Sequence, residues 1–188
     1  MPSMNVDLVF RRDRFGRGGD HTSFAREGFA AVRLTTPSEN YANQHSRTDT
    51  FEHTSVPYTT RVARMNAAVL ASLALAPSAP VTNYEIKSGE LKGSRRPMLS
   101  RGESGYDAVL RWLKSPEPDV VGYAIVIRST TAPDWQREIW AGNVTQYTMA
   151  DLSIDDIVVG VKAVDKDGNQ SLVSVYLEPF TPDPAATP

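Results

Sequence analysis

The sequence predicts an α/β piece that is not whole, followed by an all-β sandwich, and three observations carry this. Apolar residues recur at steps of three and four over 54–76, the period of a helix that covers a sheet. From about residue 105 the period changes to short alternating runs separated by turn residues, the pattern of a sandwich. Between them a Pro-Ser-Ala-Pro break at 77–80 opens a stretch rich in Gly, Ser, Arg and Pro.

In the first region, 7–10 reads as a short strand with no earlier element to pair with, which predicts missing sequence upstream. A short helix follows over about 22–27, with Gly28 as its stop, and then an apolar strand over 29–34. A polar loop over 35–54 leads to a long helix that opens at Thr54 or Ser55, with Pro57 in the first turn where its missing N–H costs nothing. Tyr58, Val62, Met65, Val69 and Leu73 form one stripe along it. One or two strands cannot cover this stripe, so the region 1–76 reads as incomplete.

The second region divides into a linker with at most a loosely paired first strand over 77–104, strands over 105–180, and a disordered tail over 181–188. Strands are expected at 106–113 with Trp112 as anchor, 120–128, 136–144, 146–149, 157–164 and 172–177. Asp167-Gly168-Asn169 signals a hairpin turn.

Composition narrows the chemistry. Hydrophobic content of 40% is enough for a packed core, so disorder is not expected of the 188 residues as a whole. Twenty basic residues stand against 22 acidic ones without a long basic block, which argues against nucleic acid as partner. The local cluster Arg11, Arg12, Arg14 and Arg17 reads as solvated or paired. Cysteine is absent, so a transition-metal site must draw on His21, His45, His53 and carboxylates. The longest apolar run, 67–76, is about half of what a membrane span needs, so no membrane span is expected. The N-terminus lacks the pattern of a signal peptide.

Two resemblances add to this reading. Trp112, Gly122-Tyr123, Tyr147-Thr148 before Leu152, and VGVKAVD at 159–165 leading to Gly168 and Ser171 make residues 79–180 resemble a fibronectin type III domain. Where that family carries the tyrosine of its corner motif this chain has Val158, so the corner cannot take its usual form.

The segment GGDHTSF at 18–24, then GFAAV at 28–32, then ENYANQHSRTDT at 39–50, resembles the end of the catalytic domain in the zinc aminopeptidase family that also includes the glutaminyl cyclases. That family has an Asp-His-x-x-Phe motif before a buried strand and a His-Ser/Thr-x-x-Asp motif after it. The resemblance implies an α/β fold, a mixed sheet covered by helices, of which residues 1–76 are the C-terminal segment. It further implies one or two zinc ions, a peptide substrate, and a secreted or periplasmic whole protein.

Residue by residue, His45 matches the last zinc ligand. Read without its neighbours it is a solvent-facing loop histidine. Asp20 matches an acidic group near the metal that orients the substrate amine, while its local reading is an N-cap for the helix beside it. His21 would help fix its position. Asp49 matches the aspartate that holds the histidine loop in place, and reads equally as a solvated turn residue. Gln44 stands where relatives often carry Tyr or Trp, and an amide there could donate to a developing oxyanion. Phe24 and Tyr41, with Phe29, suit either a pocket for an apolar substrate side chain or a core. His53 lies outside the motif.

The family's other ligands come from an upstream His-x-Asp, a Glu-Glu pair and a further acidic residue. The chain has no histidine before residue 21 and no Glu-Glu, so the general base is missing as well. Three functions follow: a fragment of an aminopeptidase that hydrolyses peptide N-termini through a metal-bound water, inactive and binding zinc weakly or not at all by itself; a non-catalytic module whose sandwich holds a protein or polymer ligand; or a cyclase-like relative that is no peptidase.

Overall fold

A computed structural model describes residues 6–7, 19–27, 29, 31–36, 40–104, 106–152 and 154–176. The chain divides into two compact units, Met1–Ala71 and Ser72–Pro188. The border lies a few residues before the expected break at 77, within the last turn of a helix.

The first unit holds α1 (His21–Arg26), a 3-10 turn (Phe51–His53) and α2 (Val56–Leu75), the last of which runs on into the second unit. α2 starts where the sequence places it. The Thr54 hydroxyl bonds the Phe51 carbonyl at 2.7 Å and the Ser55 carbonyl receives the Thr59 N–H at 2.9 Å, the first bond of the helix. The expected strand over 29–34 does not form: its described residues, 29 and 31–34, are neither helix nor strand. A strand needs a neighbour to satisfy its backbone, and no strand occurs among the described residues of this unit. Residues 8–10, Gly28, the four clustered arginines and the tail lie outside the described residues.

Among the described residues of the first unit none is buried. Val32 is 71% and Phe51 73% exposed, and Val69 and Leu73 of the α2 stripe are half exposed. Val62 and Met65 of the same stripe are half-buried, so among the described residues the stripe is covered only in part.

The second unit is a β-sandwich. β1 (Asn83–Glu85) and β2 (Arg95–Pro97) form a hairpin of their own. β3 (Leu99–Arg101), β4 (Ala108–Arg111), β5 (Val120–Ser129), β6 (Arg137–Gly142), β7 (Gln146–Met149), β8 (Ile157–Asp165) and β9 (Ser174–Val175) make two sheets. Their orders are β3-β4-β7 and β6-β5-β8-β9, with every neighbouring pair antiparallel. Every second residue of β5 and β8 enters the core: Tyr123, Ile125 and Ile127 from one, Val159, Val161 and Ala163 from the other, against Ala108, Leu110 and Met149 of the facing sheet.

Trp112 packs there as expected, its ring 5.4 Å from that of Tyr123 at 60°, a tilted aromatic pair. It follows β4 rather than lying on it, and its amide bonds the Thr145 carbonyl at 3.1 Å. With Val158 at the corner position, two other tyrosines reach across. The Tyr176 hydroxyl donates to the Arg111 carbonyl at 2.9 Å, and the Tyr123 hydroxyl accepts from the Ser115 amide at 2.8 Å. Burial holds the Tyr176 phenol well above its usual range.

The stretch 77–104, expected as a linker with at most one loosely paired strand, carries three strands and is bound into the sandwich. Val81 bridges Leu113, buried Thr82 donates its hydroxyl to the Val175 carbonyl at 3.0 Å, and Met98 donates to the Thr82 carbonyl at 2.7 Å. Gly89 and Gly93, both at positive φ, shape the turn between β1 and β2.

Candidate functional site

The residues singled out by the sequence fall in two segments of the first unit. At 19–27 the chain turns into α1. Asp20 occupies the N-cap position but has helical backbone angles (φ −56°, ψ −30°), and its side chain makes no capping bond. A side chain caps best from an extended backbone. The Gly19 carbonyl instead takes the Thr22 amide at 2.9 Å. Asp20 is exposed, and the half-buried His21 ring lies against Gly19. Phe24 is exposed too, so it is not core within this unit.

The second segment, 40–50, is knitted by short-range hydrogen bonds. The Asn40 side chain receives the Ala42 amide at 3.0 Å, and the Tyr41 carbonyl the Gln44 amide at 3.1 Å. Ser46 bonds the Asn43 carbonyl through its hydroxyl at 2.7 Å, and Thr48 bonds the Asn43 side chain at 2.9 Å. At the centre His45 has φ 58°, the left-handed region that a side chain of its size visits rarely. Its amide donates to the Asp49 carboxylate at 3.2 Å, and the Asp49 amide donates to the Ser46 carbonyl at 3.2 Å. Asp49 thus closes the turn that presents His45, whose side chain is exposed. Gln44 is exposed beside it and Tyr41 half-buried.

The structure therefore brings His45 and Asp49 together, and Asp20 and His21 as neighbours. Asn43 was missed by the motif reading. Its signal is the run Asn43, Ser46, Thr48, residues whose side chains bond local backbone.

Whether these residues fit a zinc ion is answered by their number. Among the described residues no three His, Cys, Asp or Glu side chains gather into a group that could hold a metal. His45 offers one imidazole where a catalytic zinc takes about three protein ligands. The described residues do not make a zinc site by themselves. Among the described residues no helix is long and apolar enough to cross a membrane.

No family model matches the chain. It is similar to curated proteins named "Probable zinc metalloprotease": one from Pyrenophora teres f. teres, 37% identical over 177 residues, covering 89% of this chain and 34% of that protein; one from Pyrenophora tritici-repentis with the same figures; and one from Leptosphaeria maculans, 37% identical over 186 residues, covering 94% of this chain and 39% of that protein. The chain spans about a third of the length of the relatives it matches. A solved structure described as "Myokine structure" matches 56% of the chain and all of that chain at 24% identity, with a TM-score of 0.36, too low to establish a common fold. Identity of 37% over most of the chain relates it to one part of proteins named as zinc metalloproteases.

Proposed function

We propose that this chain supplies the closing part of the catalytic domain of a zinc-dependent exopeptidase that removes residues from peptide N-termini, together with a fibronectin type III-like sandwich. The observation that carries the reading is the His45 loop. A histidine held at φ 58°, with its amide pinned by Asp49, is a backbone outlier kept in place by its surroundings, and such positions cluster at functional sites. The names of the relatives supply the metal and the reaction class.

In this reading His45 gives the zinc one ligand, and the others come from the remainder of the enzyme. Asp49 sets the loop, Asp20 accepts from the substrate ammonium with His21 beside it, and Phe24, Tyr41 and Gln44 line the substrate. A carboxylate suits the Asp20 role because it is an acceptor only when ionised, and the missing cap bond leaves it available. The aminopeptidase specificity, the export of the whole protein and the sandwich type belong to the same proposal. The seven strands in sheets of three and four support the last.

The test is a chimera in which this chain replaces the matching third of the Pyrenophora teres relative. The chimera is expected to retain zinc and to hydrolyse aminoacyl arylamides, and His45→Ala to remove most of both. The loss of rate should exceed about 100-fold, more than follows when a ligand loses only its supporting partner. Asp20→Asn should reduce turnover more than zinc content. Full zinc and full activity in the His45→Ala chimera would remove this loop from the metal centre.

A further inference from the structure

The outward face of the β6-β5-β8-β9 sheet carries a side-chain arrangement that the peptidase reading does not use. Between the core residues of β5 stand Gly122, Ala124 and Val126, and between those of β8 stands Gly160, all buried. Larger side chains lie over the two glycines, Val173 and Trp135 over Gly160 and Trp140 over Gly122. Trp140 of the edge strand β6 pairs with Ala124, and its indole is seated on the Gly122 backbone: a Cβ there would lie 2.6 Å from Cζ2 and Cη2. Only glycine permits this seat. Trp140 as a whole nonetheless remains 56% exposed.

Beside the indole is an ordered polar cluster. Lys162 pairs with Ala124 from the other side, so Trp140, Ala124 and Lys162 share one row across the sheet. The Lys162 ammonium donates to Glu138 Oε2 at 2.7 Å and to Gln170 Oε1 at 2.6 Å. Glu138 lies two residues before Trp140, hence on the same face about 7 Å along the strand, and its side chain is half exposed. The second indole of this face, Trp135, already carries the Arg128 guanidinium 5.5 Å from its ring centre.

We propose that this face binds a neutral polysaccharide, one pyranose ring lying on Trp140 while its hydroxyls bond Glu138 and Gln170, which the buried Lys162 holds in place. A sugar ring has an apolar C–H face that suits an exposed indole, and a rim of hydroxyls that both donate and accept. The cluster offers the acceptors of Glu138 and Gln170, fixed by the buried Lys162 ammonium before the ligand arrives. Its one positive and one negative charge cancel, which disfavours anionic polymers that need a net positive surface. A peptide adding to the β6 edge would be held by main-chain bonds and would not need the indole.

The probes are cellulose, chitin and soluble β-1,3-glucan, with heparin as anionic control, tested on the full chain by depletion and by tryptophan fluorescence. At least one neutral polymer is expected to bind. Trp140→Ala should weaken that binding about 10-fold or more, Trp140→Tyr should largely restore it, and Glu138→Gln should weaken it in part. Tyr106→Ala, at an exposed residue ahead of β4, should change nothing. Near-ultraviolet dichroism checks that each variant is folded. The proposal is overturned if no neutral polymer binds, if folded Trp140→Ala binds as the parent does, if heparin binds as tightly, or if Trp140 matters only for self-association in sedimentation. The first-unit chemistry plays no part, so the outcome is independent of the peptidase test.

Discussion

At the scale of single residues, three carboxylates of the sandwich are held by hydrogen bonds that favour their charged form. Asp165 is drawn below its ordinary range by the Asn169 side chain at 2.8 Å and by the amides of Asn169 and Asp167 at 2.8 and 2.9 Å. Asp107 is lowered by Ser104 and the Asp151 amide, and Glu117 by Ser78. A depressed folded pKa means that the unfolded chain binds protons first as pH falls, so stability is full above the unfolded value and lost below it. Urea unfolding of the sandwich should therefore give a plateau from neutral pH down to about pH 5 and a decline through about pH 4 and below. Asp165→Asn should lower the plateau and flatten part of the decline. A plateau extending to the lowest pH would contradict these bonds.

At the scale of elements, α2 is a helix whose apolar side is only partly covered among the described residues, Val62 and Met65 being half-buried and Val69 and Leu73 exposed. Its residues have good helical propensity and it begins with the proline the first turn tolerates, so the element forms. Its packing face is another matter. Val69 and Leu73 are exposed, and replacing both by Lys, itself a good helix former, should shift the thermal transition of this chain by no more than about 0.5 kcal/mol. Binding of a hydrophobic dye should fall at the same time. In the chimera with the Pyrenophora relative the same pair should sharply reduce the yield of active enzyme, because there the face has a sheet to cover. Equal loss of stability in the chain alone would mean that the stripe is already packed.

At the scale of the molecule, the two units differ in kind. The second owns a core, with Leu110, Tyr123, Ile125 and Val161 fully or almost fully buried, and the first has no buried residue among those described. A chain beginning at Pro77 should unfold in one cooperative transition with dispersed amide signals. Residues 1–76 alone should bind dye and lack a sharp transition. A random-coil spectrum from the first, or a cooperative monomer from the second, would undo this division.

The sequence by itself determined the elements whose signal is local. Strands β4 to β8, the turn at 167–169 and α2 follow from alternation, turn chemistry and helical period, and the His45 loop from a motif spanning few residues. The tertiary structure alone decided what depends on distant partners. Residues 77–104 look like a linker until Thr82 meets Val175, 93 positions away, and the strand expected over 29–34 reads well but has no strand to pair with among the described residues. The seat of Trp140 on Gly122 joins neighbouring strands and the ion pair of Lys162 with Glu138 reaches across β5, arrangements that only the sheet brings about. Periodicity states which face of a segment is apolar; burial requires another segment to cover it, and that pairing is not written in local spacing.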